Sequence, residues 1–112
     1  NTMGRYISTT GTSSAVIVEK STTYTAKVNE RVVANTSGGA WTLTMPANAS
    51  LLVNDVVQVI DPTGSYGSNN LTVARNGSKI QNLNEDLTMN INNVAITFIY
   101  TGTNYGWLMS GT

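Results

Sequence analysis

The chain has 112 residues with six basic and six acidic side chains, no His and no Cys, which is length enough for one core and no more. Its formal net charge is zero and its cations are scattered singly, so the clustered Lys and Arg that nucleic acid or an anionic membrane surface requires are missing, and without imidazole or thiol the usual bases, nucleophiles and soft metal ligands near neutrality are missing too. Asn, Thr and Ser make up 41 of the residues, and these are poor helix formers at home in strands and turns, so the expected fold is all-β.

Asn1 to Ser14 is polar and glycine-punctuated around Arg5-Tyr6-Ile7 and reads as an arm. Ala15, Val16, Ile17 and Val18 follow with no polar alternation, so both faces of that stretch call for burial. A terminal segment of this kind covers one face with its own domain and needs a partner for the other. Residues 1–20 are therefore expected to form an N-terminal arm lying on a neighbouring copy, with Ala15 to Val18 as an oligomer interface, and residues 21–112 to form the β module. Ser21 to Ala34 alternates around Tyr24, Ala26 and Val28, breaks at Asn29-Glu30 and resumes with Val32 and Val33, the pattern of a hairpin.

The stretch from Asn35 to Asp61 organises the rest. Trp41, Leu43 and Met45 alternate with Thr42 and Thr44, a strand with one apolar and one polar face, and Pro46 removes a ladder donor at its end. Asp55 to Asp61 carries Val57 and Val59 on one face and Val56, Gln58 and Ile60 on the other; both are largely apolar, which places that strand centrally. DPTGSYGSNN, residues 61–70, is dense in turn formers and reads as an exposed loop. Asn76-Gly77 between Leu71–Arg75 and Ser78–Leu83 predicts a type I′ hairpin, since both central residues of that turn need positive φ. Leu87, Met89 and Ile91 form a one-faced strand that turns at Asn92-Asn93 into Val94, Ile96, Phe98 and Tyr100, and a loop at Thr101–Gly106 leads to a closing strand from Trp107 to Ser110. About eight to ten short strands at such spacing predict an antiparallel β-sandwich or flattened barrel.

The carboxylates do not form a glycosidase pair. Glu85 and Asp86 are adjacent and would point to opposite faces of a strand, while Asp55 and Asp61 stand about 20 Å apart at the two ends of one. Asp61, before Pro62, is expected to support its own turn, and no metal or cofactor site is expected. Tyr66 and Tyr105 lie in Gly/Asn-rich loops beside Asn69, Asn70 and Asn104, the combination of aromatic ring and amide that stacks and hydrogen-bonds a sugar. These five residues are the candidate glycan site, weighed against the plainer reading that such tyrosines pack a loop or an interface. Trp41 and Trp107 alternate with aliphatic residues and are read as core.

From Val33 to Trp107 the sequence VANTSGGAWTLTMPANA, then DVVQVIDPTGSYGSNNLTVARNGSKIQNLNEDLTMNINNVAITFIYTGTNYGW, resembles a β module of tailed-bacteriophage virion proteins, particularly tail fibres and tailspikes. Met45 and Asn54 stand where Leu and Gly are usual in that pattern. The resemblance implies a non-enzymatic structural or attachment unit located in the virion, whose matching positions Gly39, Trp41, Pro46, Asp61, Asn76, Gly77 and Trp107 are framework residues. It also implies, by analogy, a homotrimer that meets other virion proteins, with no nucleic acid and no membrane insertion. The alternatives are a carbohydrate-binding module that recognises a host cell-surface glycan, and a capsid decoration or head-fibre protein.

Overall fold

Apolar residues at every second position make strands wherever the turn formers leave four or five residues uninterrupted, and the computed structural model, which describes residues 15–111, contains nine. They are β1 (Val16–Lys20), β2 (Tyr24–Thr25), β3 (Glu30–Ala34), β4 (Trp41–Thr44), β5 (Val56–Ile60), β6 (Leu71–Ala74), β7 (Leu87–Met89), β8 (Ala95–Tyr100) and β9 (Trp107–Gly111). Two sheets face each other, a five-stranded one in the order β1-β3-β5-β8-β9 and a four-stranded one in the order β2-β4-β6-β7. The all-β sandwich is as expected, and β5 is the central strand of the larger sheet. The stretch 1–14 of the expected arm lies outside the described residues.

Between the sheets, alternate residues interdigitate. Val32, Val57, Val59 and Phe98 from the larger sheet meet Leu43, Leu71 and Val73 from the smaller, all fully buried, with Trp107 and Met45 closing one end. Burying each Val, Leu or Phe contributes roughly 1.5–3 kcal/mol, so this layer is the main source of stability in a chain without Cys. Trp107 packs edge-on against Tyr100, their ring centroids 5.4 Å apart.

The pairing corrects the antiparallel expectation. β1, β3 and β5 are mutually parallel, and so are β2, β4 and β6; only β7, β8 and β9 pair antiparallel, with β6, β5 and β8 respectively. The physical reason is that successive strands change sheets. From β1 to β2, β3 to β4 and β5 to β6 the chain crosses to the smaller sheet at one end of the sandwich, and it returns at the other end. This stacks three two-strand coils so that like strands lie side by side and run the same way.

Three expected hairpins are therefore not formed. β2 and β3 lie in different sheets, and the connection between them is pinned by Ala26 N–H to the Thr44 carbonyl and Asn29 N–H to the Val56 carbonyl. At Asn76-Gly77 the turn itself is as predicted, with φ of 51° and 94° and the Ser78 N–H donating to the Arg75 carbonyl. Its flanks do not pair. The Arg75 N–H is taken by Asp86 Oδ1, and the residues after the turn are drawn to β9, where Trp107 N–H donates to the Lys79 carbonyl and Gln81 N–H to that of Trp107. The Asn92-Asn93 turn likewise carries the chain from β7 to β8 across the sandwich, leaving Ile91 exposed. Finally, β1 pairs with β3 of its own chain from Val16 opposite Glu30 to Lys20 opposite Ala34, so the sheet begins at Val16 where an arm was expected to run to Lys20.

Candidate functional site

The loop 61–70 is built around the carboxylate of Asp61, 5% exposed at the end of β5. Its Oδ1 accepts the N–H groups of Thr63 and Ser65, and its Oδ2 those of Tyr66 and Asn93, at 3.0–3.3 Å. Burial on its own raises the pKa, but four backbone donors outweigh it and hold the carboxyl below its ordinary value. The loop they gather turns Tyr66 inward. Its ring is fully buried, and its hydroxyl lies 3.0 Å from the Ala34 carbonyl oxygen and 3.1 Å from that of Ile60. Burial, and then the charge of Asp61, push that hydroxyl well above the ordinary tyrosine range. Gly67 N–H donates to Asn92 Oδ1 and the Asn69 side-chain amide to the Thr36 carbonyl, so the loop is pinned to the end of the sandwich with Tyr66 buried in it, while Pro62, Thr63, Gly67, Ser68 and Asn70 stay exposed as a surface loop should.

This changes the candidate glycan site. Tyr66 offers no ring face to a sugar, Asn69 has committed its amide, and Asn70 is exposed beside them. Asn104 and Tyr105 are exposed, Tyr105 by 54%, but they follow β8, which runs antiparallel to β5. They therefore stand at the opposite end of the sandwich, one strand length or about 17 Å away. There their carbonyls accept from the Lys79 ammonium and the Asn82 N–H. The five residues do not converge.

Three other acidic groups also serve the framework. Glu30, 8% exposed, accepts from the Tyr24 hydroxyl at 2.8–2.9 Å and from Lys27 N–H at 2.8 Å. Burial first, then the hydrogen bond and charge of Glu30, push the Tyr24 hydroxyl up to about 12. The Lys20 ammonium sits 4.4 Å over the Tyr24 ring, so this cluster ties β1, β2 and β3 together. Asp55 accepts Leu52 N–H and Asp86 accepts Arg75 N–H. Among the described residues no three His, Cys, Asp or Glu side chains come together as a metal-ion site.

The distinctive surfaces are the outer faces of the two sheets. On the smaller sheet Thr42 lies beside Thr72 and Thr72 beside Thr88, while in the next row Thr25 lies beside Thr44 and Thr44 beside Ala74. The larger sheet is different. Val56 lies beside Ile99 and Ile99 beside Leu108; Val33 lies beside Ile60 and Ile60 beside Ala95; a polar row with Gln58 and Thr97 separates them. Of the segment expected to form an interface, Ala15 is exposed, Val16 is 54% and Ile17 63% exposed, and Val18 packs on the core opposite Val32. The two apolar faces of β5 were the sequence signal for the aliphatic rows; which strands would extend them depended on pairings the alternation does not encode. A further apolar groove of about 180 Å³ runs along Leu87, Met89, Ile91, Val94, Ile96 and Met109, where β7 leaves the larger sheet uncovered.

No protein-family model matches the chain, and no curated protein matches it.

Proposed function

We propose that this chain is a non-enzymatic structural and attachment unit of a tailed-phage virion, part of a tail fibre or related appendage, working as a homo-oligomer beside other virion proteins. The observation that carries the reading is where the motif residues of the resembling module stand. Trp41 donates its indole N–H to the Asn35 carbonyl at 2.8 Å, Asp61 gathers four N–H groups, and Asn76 turns the chain while its amide reaches the Met45 carbonyl at 3.0 Å. Trp107 fills the core. These side chains hold turns and core in place, which suits a building block. A homotrimer is the preferred assembly by analogy with such appendages.

A second reading, direct recognition of a host glycan, keeps one observation in its favour: Tyr105 presents an exposed ring next to the exposed Asn104. Gold-labelled antibody against the chain, applied to intact particles of the phage that carries it, is expected to mark the tail appendage. Label on the head would move the protein to the decoration or head-fibre alternative. Unlabelled particles, or cleavage of a bacterial polysaccharide by the purified chain, would contradict the proposal.

A further inference from the structure

We propose that copies of this chain join through the outer face of the five-stranded sheet, around Val33, Val56, Ile60, Ile99 and Leu108. This rests on the homo-oligomeric reading above and names the surface that serves it. A mixed sheet with one side in water is expected to alternate apolar-in and polar-out, and the smaller sheet does so with its threonines. Thr is β-branched and satisfies strand propensity as well as Val or Ile does, so propensity does not explain why the larger sheet carries aliphatic side chains outward. Burial does. Val56, Ile99 and Leu108 are direct cross-strand neighbours in one row and Val33 and Ile60 in another, with the Gln58–Thr97 row between them, so the aliphatic side chains form two ordered stripes rather than single scattered positions.

Size and charge both point to a second copy as the occupant. Five strands at about 4.8 Å and five residues at about 3.3 Å give a face on the order of 400 Å² in projection. The two aliphatic rows and the polar row between them thus make a face the size of the centre of a standard interface of about 800 Å² per partner. The outward positions of the sheet include two charges, Glu19 and Arg31, on neighbouring strands β1 and β3. Their signs are opposite, so the face is neutral and self-complementary: apposed copies set no like charges in a row, and Glu19 of one has a match in Arg31 of the next. A strongly charged partner would find no complementary field there.

Light scattering on the full chain tests this. The native chain is expected at a multiple of 11.9 kDa. Ile99→Lys should fall to the mass of one chain, while Thr72→Lys, on the threonine face, keeps the native mass. A native chain that is monomeric overturns both this proposal and the oligomeric reading. An Ile99→Lys variant that keeps the native mass overturns the face alone. Because Ile99→Lys can fail to fold, a second measurement uses the absence of Cys: Gln58→Cys, between the two aliphatic rows, is expected to react with a thiol reagent more slowly than Thr72→Cys. Equal rates in an oligomeric sample overturn the proposed face and leave the oligomer standing.

Discussion

Asparagine does at the residue scale what glycine does in many β proteins. Among the described residues, five of the six non-glycine residues with positive φ are Asn29, Asn54, Asn76, Asn82 and Asn93, and Asn29, Asn54 and Asn93 stand where the chain passes from one sheet to the other. A short amide tolerates the left-handed region that costs most residues about 1–2 kcal/mol. Asn29→Ala is therefore expected to destabilise the chain by about that amount and Asn29→Gly by much less, read from urea midpoints at constant slope. Asp61 is the second residue on which the fold turns. Its folded pKa lies below the unfolded value of about 3.9, so its contribution is fully present above that pH and is lost as pH falls through the folded pKa. Melting temperature should drop on acidification below about pH 4. Asp61→Asn should flatten that acid limb and lower stability at neutral pH by about 1.5–3 kcal/mol, because an amide cannot accept from all four donors. The sequence marked both residue types as turn formers. It did not mark Tyr66 as core, because a tyrosine between glycines looks the same whether the loop folds outward or is drawn in by a carboxylate five residues earlier.

Elements were legible by face and not by partner. Alternation identified the buried sides of β4 and β8 and the central place of β5, since period two needs only the strand itself. The Asn76-Gly77 turn was legible too, yet its flanking residues went elsewhere because β9 offered an open edge. That edge is now closed at three points, by Trp107 N–H to Lys79, Gln81 N–H to Trp107, and Met109 N–H to Gln81 Oε1 at 2.9 Å. Gly106 makes the closure possible: its φ is 72°, and a Cβ there would stand 2.1 Å from the Lys79 carbonyl oxygen. Gly106→Ala should destabilise by at least about 2–3 kcal/mol and speed deuterium exchange at the Trp107 and Gln81 amides. The other edge, β1, belongs to the same sheet, so a chain beginning at Ser21 would lose the packing of Val18 and open the ladder of β3. Its melting temperature should be lower than that of the full chain; an unchanged value would show that β1 contributes nothing to the sandwich.

For the whole molecule, the stacking of three coils explains why a domain read as antiparallel is half parallel. Parallel neighbours come from residues 14 to 30 positions apart, as with Val16 and Glu30 or Trp41 and Leu71, and no local pattern records such a pairing. What local pattern does record is that β5 is apolar on both sides, and the two faces then divide the work. The inner one makes the core, and the outer one is the surface proposed to hold copies together within an appendage. The five residues expected to hold a sugar are divided between the two ends of the sandwich, which moves the weight of the account from ligand chemistry to assembly. A reconstruction of the phage appendage by electron cryomicroscopy, at a resolution that separates strands, tests that account most directly. It predicts repeated copies of this two-sheet domain with the outer face of the five-stranded sheet against a neighbouring copy and the threonine face toward solvent; particles without the domain, or copies whose aliphatic face looks into solvent, would contradict it.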